Sequence, residues 1–383
     1  MPHNQFKKLT QTKLKTNITY IVSNINKALA FEWIADFLNK DRFKLNFILL
    51  NPGNSELEQF LLEKNIAVDR ITYKSKKDLL GAIYRTYQLL KRHQTTVVHT
   101  HLFDANMVGL TAAKLARIKK RIYTRHHSDF HHTYFPKAVK YDKYINWLAT
   151  DIVAISLVVK DILIKKEKVD PIKIHLIYHG FDLNKFSDVE ETTITKLGNK
   201  YNPSYLSPVV GVISRYLELK GIQYIIPAFK QLLGSHPDAL LILANTQGAF
   251  KEEIEKLLEQ IPKRNYVEIQ FEAHIFELYK LFDIFVHVPI AKEIEAFGQT
   301  YVESLASGVP SIFTLSGIAN EFVVNRNNAM VVNYKSSEEI YTAMNELLSD
   351  NKLARQLIDN GQKVVKEKFG IREMIVTLEK LYE

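Results

Sequence analysis

The chain alternates short apolar runs rich in β-branched residues with longer amphipathic stretches of helical period. This alternation is typical of parallel α/β architecture. In the first half it predicts strands at Ile18 to Ser23, Lys44 to Leu50, Thr96 to His99, Arg121 to Thr124, Ile152 to Ser156 and Ile174 to Tyr178. It predicts helices at Ala28 to Asn39, Leu79 to His93, Ala105 to Leu115 and Lys140 to Leu148. We therefore expect one doubly wound α/β unit in this half.

A polar stretch with turn-forming residues and two prolines follows this unit, and the alternation then resumes. The second set of predicted strands is Val209 to Ser214, Ala239 to Ala244, Val267 to Phe271, Ile284 to His287, Ser311 to Thr314 and Met330 to Val332. We interpret 1–188 and 205–365 as two Rossmann-like domains of similar size and 189–204 as a linker. Open sheets of this class bind ligands at the carboxyl ends of their strands, so the site is expected in a cleft between the two domains, on the loops after the strands.

The amino-acid composition excludes several classes of protein. With 46% hydrophobic and 24% charged residues the chain is globular. No apolar stretch reaches the roughly 20 residues of a membrane span, and the basic N-terminus lacks the apolar core of a secretory signal. The absence of cysteine excludes disulfides, thiolate nucleophiles and cysteine-ligated zinc. We expect a cytoplasmic protein.

The two halves differ in charge. Residues 1–190 hold 31 Lys and Arg against 18 Asp and Glu, a net +13, whereas residues 191–383 hold 20 against 24, a net −4. A basic half indicates an anionic partner, which includes nucleic acid, substrate phosphates and the anionic face of a membrane.

The segment EAFGQTYVESLASGVP at 295–310 offers the most informative chemistry. Its helical run starts after Gly298, so free backbone N–H groups there can face a diphosphate. Glu303, one turn into the helix, suits the vicinal diol of a ribose, and Glu295 in the preceding loop can meet a sugar hydroxyl. Taken alone, both glutamates also fit as solvated acids at a helix terminus.

The strand and loop in GVISRYLELKG at 211–221 place Arg215 and Lys220 beyond a strand end. Two cations there can clamp a pyrophosphate and stabilise a leaving phosphate. Exposed loop cations are the alternative interpretation. Neither half carries GxGxxG after its first strand or a P-loop, which argues against a standard dinucleotide or P-loop nucleotide site.

These segments together resemble family 4 glycosyltransferases, retaining enzymes of the GT-B fold, whose signature is two glutamates separated by seven residues, here Glu295 and Glu303. The resemblance extends through most of residues 205–383 and more loosely through the first half. It implies that the last helix, within 366–383, crosses back to complete the N-terminal domain. The glycine pair that the family carries after its first strand is absent from SNINKALAF at 23–31.

The resemblance also implies roles for individual residues. The catalytic set is Glu295, His126, Arg215 and Lys220, with His126 near the reacting carbon of the sugar. The donor-binding set is Phe297, Gly298, Gln299, Thr300, Glu321 and Glu303. On the acceptor side we include Asn24, Asn26, His127 and Asp129. The diphosphate is neutralised by protein cations, so no metal or other cofactor is expected beyond the nucleotide sugar, a UDP- or GDP-sugar.

Two further features stay open. The histidine-rich run HHSDFHH at 126–132 contains metal-ligand residue types, although proximity in sequence does not fix converging geometry. The stretch 130–149 interleaves aromatic and lysine residues, which suits an anionic membrane surface, the entrance for a lipid-linked acceptor or an ordinary partly buried helix.

The sequence thus predicts a retaining glycosyltransferase for cell-surface polysaccharide synthesis, in peripheral contact with the inner face of the membrane. Its acceptor is expected to be a lipid-linked or anionic glycan precursor. A GT-B nucleotide-sugar epimerase and a non-catalytic sugar-nucleotide-binding protein are the alternatives. A nucleic-acid-binding module is disfavoured because no common recognition motif is present.

Overall fold

The computed structural model describes residues 15–383. The basic N-terminal segment, which we expect not to be a secretory signal, therefore lies almost entirely outside the described residues. Contacts between residues divide the chain into two compact units. The first holds the described residues up to Thr124, together with Tyr141–Ile152 and Ile375–Glu383, and the second holds Arg125–Lys140 and Val153–Met374.

Two parallel sheets organise the chain. The strands of the first are β1 Thr16–Ser23, β2 Phe43–Asn51, β3 Ala67–Thr72, β4 Val97–His101, β5 Lys120–Arg125, β6 Asp151–Ala154 and β7 Ile174–Leu176. The strands of the second are β8 Val209–Ile213, β9 Leu240–Ala244, β10 Tyr266–Ile269, β11 Ile284–His287, β12 Ser311–Phe313 and β13 Met330–Val331. The strand orders are β3-β2-β1-β4-β5-β6-β7 and β10-β9-β8-β11-β12-β13. Both show the order reversal of doubly wound sheets, as the sequence predicts.

Helices connect the strands. In chain order they are α1 Leu29–Phe37, α2 Glu56–Glu63, α3 Leu79–Arg92, α4 Phe103–Leu115, α5 Phe130–Tyr134, α6 Val139–Leu148, α7 Leu157–Lys165, α8 Asn184–Ser187, α9 Glu191–Tyr201, α10 Ile222–Leu232, α11 Lys251–Leu258, α12 Ile275–Tyr279, α13 Gln299–Ala306, α14 Ala319–Phe322, α15 Ser337–Ser349, α16 Asn351–Lys368 and α17 Ile371–Tyr382. Within 15–383, no helix combines the length and apolar character that crossing a bilayer requires.

Each unit has its own apolar core. In the first, Ile21 of β1 and Ile48 of β2 pack with Val98 of β4 and Val108 of α4. In the second, strands β8, β9 and β11 pack against α10 and α15, with Val210, Leu241, Val286 and Phe229 fully buried. These strands read as continuous apolar runs because a parallel sheet is covered on both faces.

The C-terminal helix belongs largely to the first unit, since Ile375–Glu383 cluster there. The hydroxyl of Tyr382 lies 2.8 Å from Nδ1 of buried His99, and it also contacts the hydroxyl of Tyr20. The Glu379 carboxylate accepts hydrogen bonds from the backbone N–H of Asn39 at 2.8 Å and from Arg42 at 3.0 Å. The last turns of α17 are therefore fastened to the first unit.

The expected linker at 189–204 differs in the structure, which places helix α9 in it. Leu197 and Tyr201 are buried, and the hydroxyl of Tyr201 donates to Glu272 at 2.6 Å. The polar residues that suggested a linker form the solvent face of this amphipathic helix. The two units also divide the chain at points other than the boundaries 188 and 205.

Candidate active site

A cavity of about 890 Å³ opens at the carboxyl ends of the second sheet's strands. Its lining comes from the segments after β8, β9 and β11, together with Ile155, His179 and residues from 126–135, all of the second unit. The strand order reverses between β8 and β11, and doubly wound sheets bind ligands at such a switch point. The volume suits a nucleotide-sized ligand.

The segment after β8 supplies two cations to this cavity. Arg215 is exposed and Lys220 is half-buried at the end of a short 3₁₀ turn, Glu218–Lys220. Gly221 then adopts a left-handed conformation with φ of 77°, where a Cβ would lie 1.9 Å from the carbonyl oxygen of Val288. Only glycine fits this close approach between the loop after β8 and the end of β11.

The segment after β11 places Glu295 beside Lys220. Glu295 is 8% exposed, and its Oε1 lies 2.5 Å from the Lys220 Nζ and 3.2 Å from Nε2 of His287. Burial by itself raises the pKa of Glu295, but the Lys220 ammonium and the His287 ring outweigh it and hold the pKa well below its usual range. Burial lowers the pKa of His287 in turn. Glu295 is therefore an ionised carboxylate at physiological pH.

Helix α13 points its first turn at the cavity. Gly298, with φ of 88°, caps it, and Gln299 and Thr300 are its first residues, all three lining the cavity. A Cβ on Gly298 would lie 2.6 Å from the Tyr301 ring. Backbone N–H groups of a first helical turn have no partner within the helix, so this turn can bind an anion.

Glu303 lies one turn further along α13 and faces a different environment. Its Oε2 accepts a hydrogen bond from the hydroxyl of Tyr279 at 2.9 Å. Burial raises the pKa of Glu303 to about 7, and the hydrogen bond from Tyr279 opposes this shift. Glu303 is not among the residues that line the cavity.

The segment after β5 brings histidines to the cavity. His126 and His127 both line it, and the His126 ring stacks on that of His179 with centroids 5.6 Å apart and planes at 15°. His179 meets the Phe297 ring edge-on at 4.9 Å. Burial lowers the pKa of His179 to about 4, so its ring stays neutral at physiological pH.

Nine predicted residues thus line one cavity: Arg215, Lys220, Glu295, Phe297, Gly298, Gln299, Thr300, His126 and His127. Two predicted acids, Asp129 and Glu321, are not part of this lining and contact other residues. Asp129 bonds Lys166 at 2.8 Å and accepts from the Thr133 hydroxyl at 2.8 Å. Glu321 accepts from the backbone N–H of Leu157 at 2.7 Å and from the Tyr178 hydroxyl at 2.6 Å.

Asn24 and Asn26 follow β1 in the first unit. Asn24 has a left-handed backbone with φ of 53°. The side-chain amide of Asn26 donates to Glu56 at 2.9 Å, and its Oδ1 accepts from the Glu56 N–H at 3.3 Å, so Asn26 fastens the start of α2. In the structure the Asn26 side chain therefore joins the loop after β1 to the start of α2.

Sequence reasoning missed His287 and His179 as cavity residues. His287 ends the apolar run of β11, and a polar residue at the carboxyl end of a predicted strand is a signal that could have identified it. His179 directly follows the predicted strand Ile174 to Tyr178, so the same signal could have identified it, although the observed β7 ends three residues earlier at Leu176.

Comparisons with known proteins agree with this geometry. The model of Glycosyl transferases group 1 matches residues 196–364, and that of Glycosyltransferase Family 4 matches residues 34–185. The chain carries the two domains of a family 4 glycosyltransferase. This glycosyltransferase is 25% identical to the capsular polysaccharide biosynthesis glycosyltransferase CapM of Staphylococcus aureus, over 91% of each chain.

A second relative of this glycosyltransferase is the UDP-Gal:alpha-D-GlcNAc-diphosphoundecaprenol alpha-1,3-galactosyltransferase of Escherichia coli, 23% identical over 97% of this chain and 99% of the relative. Among solved structures, Anabaena Alr3699/HepE in complex with UDP-glucose superposes with a TM-score of 0.81 at 20% identity, covering 95% of this chain and 99% of that one. The sucrose-phosphate synthase of Thermosynechococcus elongatus gives 0.74 at 17% identity, covering 96% and 98%. The glycosyltransferase therefore has the GT-B fold.

Proposed function

We propose that this glycosyltransferase moves a sugar from a UDP-sugar to a hydroxyl of a lipid-linked or anionic glycan precursor, with retained anomeric configuration, in cell-surface polysaccharide synthesis. The names of the relatives support the donor and acceptor classes: HepE is described with UDP-glucose, the E. coli relative acts on a diphosphoundecaprenol-linked sugar, and CapM belongs to capsule synthesis.

One observation carries the proposal: the Lys220–Glu295 pair, Arg215 and the first turn of α13 line the same cavity. The cations and the helix start suit a diphosphate. Glu295 stays ionised beside them and suits the developing positive charge on the sugar ring. A site that holds opposite charges at fixed positions stabilises a transition state in which a sugar cation and a phosphate anion separate.

In the proposed reaction, the bond between the anomeric carbon and the β-phosphate oxygen breaks and a bond to the acceptor oxygen forms on the same face. The acceptor proton leaves with the diphosphate. Arg215, Lys220 and the N–H groups near Gly298 bind the diphosphate more strongly in the transition state, where its negative charge grows, than in the ground state. This difference lowers the activation barrier. His126 orients the sugar. Glu303, which lies on α13 beyond the cavity lining, is the proposed partner of the ribose where the bound donor extends past the first turn of this helix.

Metal independence is part of the proposal, because two protein cations and a helix start supply the positive charge that a divalent ion would otherwise provide. We expect turnover to be unchanged by excess chelator. Loss of turnover on chelation, restored by Mg²⁺ or Mn²⁺, would contradict this part alone.

A peripheral site at the cytoplasmic membrane face is also proposed. On the first unit, Trp147 is 65% exposed, its neighbour Tyr144 stacks on it at 5.9 Å, and the Lys114 ammonium lies 5.5 Å from its ring centroid. Exposed aromatic rings with a cation suit an anionic lipid interface. Binding to vesicles with and without phosphatidylglycerol tests it, with Trp147→Ala expected to bind more weakly.

The deciding experiment incubates the protein with UDP- and GDP-sugars, first alone and then with glycosylated lipid diphosphates. Transfer, with the product anomer read by NMR, supports the proposal when the product keeps the donor's configuration. An epimerised sugar nucleotide formed without acceptor would instead support the epimerase alternative. An inverted product would remove the retaining mechanism while leaving the transferase activity.

A further inference from the structure

Three aromatic rings stand at the entrance of the cavity on one short segment. Phe130, Tyr134 and Phe135 line the cavity, and they are 39%, 45% and 55% exposed. Their ring centroids are close together, 5.4 Å from Phe130 to Tyr134 and 5.3 Å from Phe130 to Phe135. We call these three residues the aromatic cluster. Contiguous exposed apolar surface of this kind marks an interaction site.

Ion pairs and a hydrogen bond fix the residues around this segment. The Asp129 carboxylate binds the Lys166 ammonium at 2.8 Å and the Thr133 hydroxyl at 2.8 Å. Glu167, whose side chain is fully buried, binds Arg125 at 2.5 Å. These contacts fix Asp129 and Thr133, which stand on either side of Phe130 in the sequence.

The composition of the aromatic cluster favours an apolar ligand. The planes of Phe130 and Tyr134 are tilted by 43°, and those of Phe130 and Phe135 by 52°, so the three rings do not form one flat platform. Exposed neighbouring rings offer apolar area on which a hydrocarbon chain is removed from water. Arg215 lines the same cavity and Lys137 follows the cluster, so cations accompany the apolar surface.

We infer that the aromatic cluster binds the first isoprenoid units of a lipid diphosphate acceptor. The inference rests on the proposed function and adds which residues select the lipid. The hydrocarbon lies against the rings at the entrance, and the diphosphate-linked sugar extends from it into the cavity towards Glu295. Burial of a few methylene and methyl groups against three rings accounts for a tenfold or larger preference for a long chain.

The test measures binding of undecaprenyl diphosphate and of inorganic diphosphate to the full chain in detergent. A photoreactive polyprenyl diphosphate, with its labelled peptides identified by mass spectrometry, maps the position. We expect labelling within 130–135, competed by undecaprenyl diphosphate. The triple variant Phe130→Ala, Tyr134→Ala, Phe135→Ala is expected to bind the lipid at least about tenfold more weakly and inorganic diphosphate unchanged.

Phe271→Ala is the matched control, because Phe271 is a 64% exposed phenylalanine of the same unit outside the cavity lining. It should leave lipid binding unchanged. Equal lipid affinity of the triple variant and the wild type, no saturable lipid binding, or labelling only elsewhere on the chain overturns the inference.

UDP-sugar binding and hydrolysis, measured on the same variants, separate the inference from the proposed function. If the wild type neither binds nor turns over sugar nucleotides, the proposed function fails. If the wild type and the triple variant both bind and hydrolyse the UDP-sugar and also bind the lipid with equal affinity, only the inference fails. Weaker binding of both lipid and inorganic diphosphate would show a general loss of the site and would also overturn it.

Discussion

The Lys220 ammonium and the Glu295 carboxylate lie 2.5 Å apart in the cavity wall of the second unit. Each largely neutralises the other. In the proposed reaction a bound donor shares Lys220 between its phosphate and Glu295, and the carboxylate holds the ammonium in position before the reaction. Such a preorganised charge costs no reorganisation at the transition state.

Replacement of Lys220 by alanine should remove most of the turnover. In the proposed reaction this cation stabilises the leaving diphosphate, and losing one such donor typically lowers kcat by about 10²–10³. Steady-state kinetics with a UDP-sugar measure the effect, and circular dichroism checks the fold, since Glu295 loses its partner. The exposed Lys230, in α10, is the matched control, and Lys230→Ala should retain wild-type kcat. A folded Lys220→Ala protein with wild-type kcat would exclude the proposed role.

His287 is expected to stabilise the fold as well as the site. Its ring is 3% exposed, packs edge-on against Tyr301 at 4.7 Å and lies 3.2 Å from Glu295. His287→Ala leaves a cavity and removes a polar neighbour of a buried carboxylate, at a cost of about 2–4 kcal/mol. Urea unfolding of His287→Ala beside the surface variant His274→Ala measures it. Equal unfolding free energies for the two variants would contradict this expectation.

The sequence predicts the sheets well because their strands are buried on both faces and read as apolar runs. Strand β3 is the exception: in Ala67–Thr72 only Ile71 is buried, since the strand lies at the sheet edge. An edge strand needs fewer apolar residues, so the hydrophobic pattern that identified its neighbours is missing.

In the candidate site, too, some residues follow from the local sequence pattern and others depend on contacts that the pattern does not show. Arg215, Lys220, Glu295 and Gly298 were predicted because strand ends and a helix start place them at one sheet edge. The contacts of Glu321 with Tyr178 and of Asp129 with Lys166 join residues far apart in sequence. Local spacing carries no information about such partners, so these acids were expected to face ligands.

Glu303 should make stability depend on pH. Burial raises its folded pKa to about 7, above the 4.5 of an ordinary glutamate. Between these values the folded state holds a proton that the unfolded state has lost, so this contribution to the unfolding free energy falls as pH rises. Glu303→Gln removes the effect and should gain stability relative to the wild type between pH 5 and pH 8, by at most about 3 kcal/mol. Urea unfolding of both proteins at the two pH values measures it, and a constant difference would refute the raised pKa.

Glu379 should anchor the C-terminal helix to the first unit. Its buried carboxylate accepts from the Asn39 N–H and from Arg42. Glu379→Ala leaves both donors without this acceptor, which costs about 1–3 kcal/mol. Glu379→Gln keeps an acceptor for the N–H but loses the charge, so its cost should be intermediate. Exposed Lys380 lies next in the same helix, and Lys380→Ala should change little. Thermal and urea unfolding rank the four proteins; if Glu379→Ala were as stable as Lys380→Ala, the helix would be held by its apolar face alone, through residues such as Leu378 and Leu381.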